Sequence, residues 1–215
     1  VRFVLASSLS VYDYSKIAEG ATLDETTAIG EHFTERDAYA QTKLLQERCV
    51  RDFATHHPHR VSIIRPGMIF GREALWNACH GAGAGPLWLL IGARHTMPLT
   101  YVENCAEAIV LAAENEAATD KTFNIIDDDL PTRLAYTEAI RSLSDQSPRV
   151  VLVNQSLLEA IAAFADSFNK VVLGNRLKLP GLLIPARLDA RFKSLSYSNV
   201  QAKTDLNWQP RYGWM

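Results

Sequence analysis

The amino-acid sequence predicts an α/β fold with a parallel sheet, and three observations lead to that prediction. The 215 residues are 47% hydrophobic and 21% charged, which suffices for one core with a smaller appended domain. Two short apolar runs, residues 2–6 and 61–64, are each followed by small polar or turn residues, as buried parallel strands are. Between the two runs lies a segment with helical spacing, so strand, helix and strand follow one another as a βαβ unit.

The first strand, residues 2–6, places Ser7 and Ser8 at its carboxyl end. A polar stretch at 13–37 follows, and residues 38–54 then show the spacing of an amphipathic helix. The apolar positions of that spacing are Leu44, Leu45, Cys49 and Phe53. This order predicts a polar loop that leads into one helix.

The second strand, residues 61–64, is expected to stop at Arg65-Pro66-Gly67, because proline cannot donate to a sheet ladder and glycine allows a sharp turn. The parallel strands of a βαβ unit have their carboxyl ends at the same edge of the sheet, which brings Ser8 and Pro66 together. Ligands of such sheets bind beyond that edge. The sequence therefore predicts its binding site there.

The alternation of helix and strand continues to about residue 127 and then loosens. It includes a helix at 103–114 and a strand at 122–126. The later segments are a helix around 136–143, a strand at 150–153, a helix at 156–168 and a proline-interrupted stretch that ends near Trp208. These segments predict a smaller second domain.

Charge and composition exclude several classes of protein. The net charge of -2 and the pI near 6.3 give no basic field for a phosphate backbone, so no nucleic-acid partner is expected. Three cysteines without CxxC spacing favour a reducing compartment over a disulfide framework. The most apolar stretch, residues 86–93, is much shorter than the ~20 residues of a membrane span. We expect a cytoplasmic protein that acts on a small molecule.

A Tyr-x-x-x-Lys motif, Tyr39 and Lys43, lies on the predicted helix, where residues four apart share one face. The spacing places an ammonium group beside a phenol, and the positive charge favours the phenolate form, which acts as a base. The same pattern occurs at Tyr12 and Lys16, where no helix is predicted to stack the two side chains. Because the short pattern is common by chance, Tyr39 and Lys43 are candidates on their helical context.

Two other patterns have simple interpretations. Residues 81–85 alternate glycine and alanine, but they follow no predicted strand, so we expect a flexible loop near the substrate and not a phosphate-binding turn. His56, His57 and His59 lie in a helix-to-strand loop without a second cluster of ligands. No metal site is expected.

Several short motifs, taken in their order along the chain, resemble those of the extended short-chain dehydrogenase/reductase family. This family includes NAD-dependent epimerases and dehydratases and proteins like 3β-hydroxysteroid dehydrogenase. The motifs are SSLSVY at 7–12, YAQTK at 39–43, IRPGMIFG at 64–71, LTYVEN at 99–104, AEA at 106–108, FN at 123–124 and AKTDLNWQP at 202–210. The resemblance covers nearly the whole chain.

The resemblance implies a Rossmann-type, doubly wound parallel sheet, present here in part, with a smaller C-terminal α/β substrate domain. On this basis residues 1–71 and 101–127 form a truncated dinucleotide-binding domain. Residues 72–100 and 128–215 form the substrate-binding domain. A small-molecule substrate is the expected partner, and a homodimer is one option for the assembly.

The resemblance also implies roles for individual residues. Tyr39 is the acid/base, Lys43 favours its phenolate and holds the cofactor ribose, and Ser8 hydrogen-bonds the reacting oxygen. Pro66 and Gly67 match the turn that lines the nicotinamide. The cofactor is NAD or NADP, and all five residues are expected to contact it.

The assignment of the serine depends on its position in the first motif. In the family the active-site serine or threonine stands four residues before the tyrosine that closes this motif, and Ser8 has that place before Tyr12. Ser7 is the nearby competitor. A serine that ends a strand by bonding local backbone is the simpler alternative for either residue.

The reaction expected from these roles is hydride transfer at a secondary hydroxyl of a sugar nucleotide or another cyclic substrate. The protein would be an NAD(P)-dependent oxidoreductase, epimerase or dehydratase. The alternative is a dinucleotide-binding sensor or scaffold without turnover. Relatives of that kind have usually lost the tyrosine or the lysine, and both Tyr39 and Lys43 are present here.

The chain departs from the family at its start. The family opens with a strand and a Gly-x-x-Gly-x-x-Gly turn that binds the pyrophosphate, and no such segment precedes Val1. The segment would hold on the order of 100 residues, including the one that separates NAD from NADP. We therefore expect a truncated product or a partial gene, with a natural fragment as the alternative. The fragment by itself is expected to be inactive.

Two single positions also depart from the nucleotide-sugar members. Met68 stands where many have an asparagine after Arg-Pro-x, and Asn104 stands where many have an aspartate. Met68 removes a polar contact to the sugar nucleotide. Asn104, together with the RPGMIFG motif at 65–71, leans slightly toward members like 3β-hydroxysteroid dehydrogenase. Three arginines could instead rebuild a diphosphate site from other directions, namely Arg72, Arg187 and Arg191.

Overall fold

The computed structural model describes residues 2–30, 36–56, 60–72, 74–76, 80–143 and 147–215. Helices and strands are mixed along this part and the central strands pair in parallel, which confirms the predicted α/β class. In chain order the elements are β1 (Arg2–Ala6), β2 (Thr22–Leu23), α1 (Ala38–His56), β3 (Arg60–Pro66), β4 (Met68–Phe70), β5 (Ala82–Ala84), β6 (Leu87–Ile91), β7 (Leu99–Tyr101), α2 (Val102–Glu114), β8 (Thr122–Ile125), α3 (Arg133–Ser142), β9 (Arg149–Val153), α4 (Gln155–Val171), α5 (Pro185–Phe192), β10 (Ser196–Tyr197) and α6 (Val200–Leu206).

A parallel sheet of β1, β3 and β8, with β3 in the middle, forms the centre of the described chain. Ile64 of β3 and Phe123 of β8 are adjacent in the ladder and fully buried. They pack with Ala108 of α2 and with Trp208, which follows α6. The helix and the C-terminal segment therefore cover one face of this sheet.

Strand β3 ends at Pro66, within the stop predicted at Arg65-Pro66-Gly67, although it runs two residues beyond the predicted strand. Pro66 pairs with Ile125 of β8, and the ladder hydrogen bond there is donated by the backbone N–H of Gly67 to the oxygen of Ile125, at 2.9 Å. The missing N–H of proline is not needed at this register. After Gly67 the chain pairs as β4 with a different strand, β7.

Helix α1 begins after Asp37, whose side chain accepts a hydrogen bond of 3.0 Å from the backbone N–H of Ala40, as an N-cap does. The sequence predicted the helix, but of the four apolar positions that predicted it only Leu44 is buried. The buried positions are Ala40, Leu44 and Glu47, whereas Leu45 and Phe53 are 49% and 43% exposed. The buried face includes Glu47 because its carboxylate has an arginine partner on β3.

The segment 81–85 is not the flexible loop that the sequence predicted. Its central residues form β5, which pairs antiparallel with β6, and Gly85 adopts a φ of 60° in the turn between them. Strand β9 then pairs with the other edge of β6. The three strands form a separate small sheet.

The C-terminal third is more regular than the sequence indicated. Helix α5, strand β10 and helix α6 lie within the stretch that was expected to be irregular. Helix α5 packs through Leu188 and Phe192 against Ile91 of β6 and Ala162 of α4. Strand β10 pairs with β2, which connects the C-terminal part to the polar stretch after β1. No helix among the described residues has both the length and the apolar character to cross a bilayer.

Candidate active site

A cavity of about 660 Å³ lies beyond the carboxyl ends of β1 and β3. This volume is in the range of small-molecule sites in proteins. Its walls come from the segment after β1, the start of α1, the turn after β3, and helix α5. The residues that line it are Ser7, Ser8, Leu9, Ser10, Tyr14, Arg36, Asp37, Ala38, Tyr39, Pro66, Gly67, Met68, Ile69, Pro98, Ala190, Arg191 and Tyr197. Four of the five residues predicted from the sequence are among them.

Tyr39 lies in the first turn of α1 and is 57% exposed. Lys43, the fifth predicted residue, lies one turn later, with its Nζ 5.8 Å from the centre of the Tyr39 ring. The same Nζ donates a hydrogen bond of 2.8 Å to the carbonyl oxygen of Ala6, at the end of β1. The helix therefore places an ammonium group beside the phenol, and the strand end holds that ammonium.

The two serines after β1 have different partners. Ser7 is buried, and its hydroxyl donates a hydrogen bond of 2.6 Å to Oε1 of Glu47. Ser8 is half-buried, and its Oγ accepts a hydrogen bond of 3.1 Å from the backbone N–H of Ser10. The hydroxyl proton of Ser7 is therefore committed to a carboxylate. That of Ser8 can be donated into the cavity.

The second Tyr-x-x-x-Lys pair does not line the cavity. Tyr12 is fully buried, its ring faces the guanidinium of Arg65 at 4.6 Å, and burial raises the pKa of its phenol. Lys16 is about half exposed and forms an ion pair of 3.6 Å with Asp13. Tyr12 and Lys16 thus belong to the core and to the surface respectively.

A buried ion pair, which the sequence analysis missed, lies behind the cavity. Arg65 of β3 donates to both carboxylate oxygens of Glu47 on α1, at 2.9 and 2.7 Å, and the two side chains are 2% and 3% exposed. Burial opposes both charges, but their mutual contact lowers the pKa of Glu47 and raises the pKa of Arg65. The sequence signal was a charged residue one turn after Lys43, on the same face of the helix.

Gly67 allows a close crossing of two chain segments at the cavity wall. A Cβ at this position would overlap the carbonyl oxygen of Pro98, which accepts a hydrogen bond of 2.6 Å from the backbone N–H of Met68. The turn after β3 can therefore approach Pro98 only if residue 67 has no side chain. This contact sets the path of Pro66 and Gly67 along the cavity.

Two arginines line the cavity. Arg36, which the sequence analysis missed, is buried, and its guanidinium donates to the carbonyl oxygens of Ser10 and Tyr12 at 2.8 and 2.9 Å. Arg191 of α5, one of the three arginines considered from the sequence, forms an ion pair of 3.4 Å with Asp37. The wall therefore carries positive charge next to the start of α1.

The other two arginines considered from the sequence lie elsewhere. Arg187 donates to the carbonyl oxygen of Arg36 at 3.3 Å without lining the cavity. Arg72 follows β4 and is not among the lining residues either.

The two single-position departures have structural explanations. Met68 is buried at the cavity wall and packs with Phe70, Met97, Leu99, Tyr136 and Ile140. Asn104 is fully buried, and its amide nitrogen donates to Asp127 Oδ1 at 3.0 Å and to the oxygen of Tyr212 at 2.9 Å. An aspartate could not make either donation. Burial raises the pKa of Asp127, so a second carboxylate beside it would be unfavourable.

Among the residues that the structure describes, no group of three or more metal-ligating side chains comes together. His57 and His59 lie outside the described residues, whereas His56 ends α1 and contacts Thr55 and Asp52.

Comparison with known proteins identifies the family of this chain. A family model, described as the NAD dependent epimerase/dehydratase family, matches residues 1–125, which is more than half of the chain. No curated protein sequence matches the chain.

Solved structures with the same fold include Pal from Bacillus thuringiensis, at 19% identity and a TM-score of 0.62, covering 99% of this chain and 58% of that one. A short-chain dehydrogenase/reductase superfamily protein from Agrobacterium tumefaciens with bound NAD has 17% identity and a TM-score of 0.61, covering 100% of this chain and 64% of that one. UDP-glucuronic acid 4-epimerase from Bacillus cereus, in complex with UDP-glucuronic acid and NAD, has 16% identity and a TM-score of 0.65, covering 99% and 57%.

The chain thus spans about three fifths of the length of these structures, with 57% to 64% of each covered. At these identities the likeness concerns the fold, and the family follows from the match over residues 1–125. The chain belongs to the NAD dependent epimerase/dehydratase family.

Proposed function

We propose that the whole protein catalyses nicotinamide-dependent hydride transfer at a secondary hydroxyl of a cyclic substrate, as a dehydrogenase, an epimerase or a dehydratase. Tyr39, Lys43 and Ser8 are its proposed catalytic groups. The observation that carries the proposal is that Tyr39 and Ser8 line one cavity, with the Lys43 ammonium 5.8 Å from the tyrosine ring. The family match and the printed names of its structural neighbours support the same class of reaction.

The described residues fit NAD or NADP. Lys43 uses one of its three N–H donors on Ala6, which leaves two for the hydroxyls of a ribose. Pro66 and Gly67 line the cavity beside Tyr39, where they would hold the nicotinamide. When bound, the cofactor supplies the hydride acceptor or donor.

The side chains of this site would handle the proton. With the substrate hydroxyl in the cavity, Tyr39 would accept its proton as the base, and the Lys43 ammonium lies beside the phenol ring. The hydroxyl of Ser8 donates a hydrogen bond to the substrate oxygen as it becomes a carbonyl oxygen. In the direction of reduction, Tyr39 returns the proton to the same oxygen.

The substrate class is the finer part of the proposal. The printed names of the neighbours include an enzyme in complex with UDP-glucuronic acid, which supports a sugar nucleotide. Arg191 on the cavity wall would suit a phosphate. Met68 offers no hydrogen bond and suits an apolar ring better. We therefore propose a sugar nucleotide or another cyclic alcohol.

An assay of the whole protein would test this proposal. Purified protein is incubated with NAD or NADP and a panel of UDP-sugars, dTDP-sugars and sterol-like cyclic alcohols, and products are followed by nicotinamide absorbance and chromatography. Turnover that Tyr39→Phe lowers by about 10² or more is the expected result. Tight dinucleotide binding without turnover of any member of the panel would instead support a sensor or scaffold and refute the catalytic proposal.

A further inference from the structure

The carboxylate of Glu47 links the chain segments that carry Ser8, Pro66 and Lys43 of the proposed site. It accepts a hydrogen bond of 2.6 Å from Ser7, which precedes Ser8. It accepts two more from Arg65, which precedes Pro66. Glu47 itself follows Lys43 by one turn of α1. One buried group therefore contacts the end of β1, the end of β3 and the helix that carries the tyrosine and lysine.

The end of β1 is held from several directions. The backbone N–H of Ser7 donates to the oxygen of Ile64 at 2.7 Å, which fixes it against β3. Lys43 donates to the oxygen of Ala6, and Glu47 accepts from Ser7, which fixes it against α1. The distance between Ser8 on the strand end and Tyr39 on the helix depends on the last two contacts.

A buried ion pair is weak evidence of stability, because apolar residues of similar size often stabilise a core at least as well. An ion pair does impose a geometry, since the planar guanidinium of arginine binds a carboxylate in a fixed bidentate arrangement. Arg65 and Glu47 make such a bidentate contact, and the ring of Tyr12 covers the guanidinium. The contact therefore orients the carboxylate that Ser7 reaches.

We propose that Glu47, held by Arg65, is a positioning residue that fixes Ser8 relative to Tyr39 and Lys43. The proposal rests on the function proposed above. Glu47 does not line the cavity, so it acts through Ser7 and through helix α1.

The test compares Glu47→Gln, Arg65→Lys and Ser7→Ala with the wild-type protein. Arg65→Lys keeps the charge and loses the bidentate contact, and Ser7→Ala removes only the hydroxyl link. Each is expected to lower kcat on the order of tenfold per folded molecule, with KM for substrate and cofactor nearly unchanged, because misplaced catalytic groups slow the chemical step. Amide hydrogen exchange at residues 6–10 should become faster in all three variants.

Arg51→Gln is the matched control. Arg51 contacts the same carboxylate at 3.4 Å, but its side chain is 48% exposed and it does not line the cavity. This variant should retain the wild-type kcat and the wild-type hydrogen exchange at residues 6–10.

Three outcomes would overturn the proposal. Wild-type kcat per folded molecule in Arg65→Lys would show that the bidentate geometry is dispensable. A loss confined to Ser7→Ala would mean that Ser7 itself acts on the substrate. If the charge variants fail to fold, Ser7→Ala with normal kcat and normal hydrogen exchange would be sufficient to reject it.

Tyr39→Phe, assayed in parallel, separates this proposal from the function on which it rests. A kcat near the wild-type value in Tyr39→Phe contradicts the proposed function, whatever the Glu47 variants show. Loss in Tyr39→Phe with full activity in Arg65→Lys and Ser7→Ala contradicts only the positioning role.

Discussion

The hydroxyl of Tyr12 donates a hydrogen bond of 2.7 Å to Oδ1 of Asn124, a fully buried residue of β8. Because of this contact we expect Tyr12 to stabilise the core, whereas Tyr39 is the tyrosine proposed to act in the reaction. Tyr12→Phe is expected to lower the free energy of unfolding by roughly 1 to 3 kcal/mol, because a buried acceptor loses its donor. Its kcat per folded molecule should stay near the wild-type value.

Tyr39→Phe is expected to lower kcat and to leave the stability of the fold nearly unchanged. The side chain is 57% exposed, so its loss should leave the melting temperature nearly unchanged. It should lower kcat by about 10² or more, the scale of general acid/base catalysis. Thermal melts and steady-state kinetics of both variants check the contrast, and equal kinetic losses would mean that the wrong tyrosine was chosen.

Ser8→Ala is expected to lower kcat on the order of 10² to 10³-fold, because the reacting oxygen loses a positioned donor. Ser8→Thr keeps a hydroxyl and serves as the control, with activity close to wild type. Circular dichroism reports whether the loss of the hydrogen bond from Ser10 alters the fold. Full activity in the alanine variant would exclude Ser8 from the reaction.

The free energy of unfolding should decrease at acidic pH because of Glu47. The pKa of this carboxyl is lowered from its usual value of 4.5, so its ionised form stabilises the fold above that pH, and the contribution is lost as the pH falls through the folded pKa. Glu47→Gln leaves Arg65 buried without its anion, which costs about 3 to 5 kcal/mol at neutral pH.

Urea unfolding of wild type and Glu47→Gln at a series of pH values measures this effect. The gap between the two proteins should narrow below about pH 4.5. Glu138→Gln, an exposed change on α3, is the control and should show no such narrowing. A gap that stays constant into acid would contradict the coupling.

Asn104→Asp is expected to destabilise the protein by about 1 to 3 kcal/mol at neutral pH, since two donations are lost and two carboxylates meet. The pKa of Asp127 is already raised by burial, so the deficit should shrink on acidification, when one of the two acids is protonated. Melting curves against pH check this. The double variant Asn104→Asp with Asp127→Asn restores one amide and one carboxylate, and it should recover part of the loss.

Substrate class can be tested at Met68. If the site takes an apolar ring, Met68→Asn should lower kcat/KM for cyclic alcohols and Met68→Leu should not. If the substrate is a nucleotide sugar, the wild-type site offers it no hydrogen-bond donor at position 68. Met68→Asn should then improve the affinity for that substrate, by up to the ~1 to 3 kcal/mol of a buried hydrogen bond. Efficient wild-type turnover of a nucleotide sugar, with no gain in Met68→Asn, would defeat the inference from Met68.

The elements that could be predicted from sequence were those with clear periodicity. Helices α1 and α2 and strands β1 and β8 lie within a few residues of the predicted bounds, because apolar spacing alone defines them. Proline was given too much weight at residue 66, since its effect depends on which ladder position it occupies. That position is set by the register of the neighbouring strand, which no local pattern reveals.

The buried ion pair could not be predicted from periodicity at all. Glu47 and Arg65 are charged residues within a helix and a strand, and a hydropathy pattern assigns such residues to the surface. Each of the two can be buried because the other neutralises its charge, and the two residues are 18 positions apart in the chain. Tyr39, Ser8, Pro66 and Gly67 were chosen from the order of the motifs, and the structure brings the four to one cavity. Their roles stay predictions.

The crossing at Gly67 restricts which sequences can encode this cavity. Because any side chain at this position would overlap the backbone oxygen of Pro98, a saturation library selected for folding should return glycine alone at codon 67. The adjacent residue, Met68, packs in a cluster of apolar side chains, and its position should tolerate several apolar residues. Adaptation to new substrates would therefore proceed through position 68, while its neighbour stays invariant.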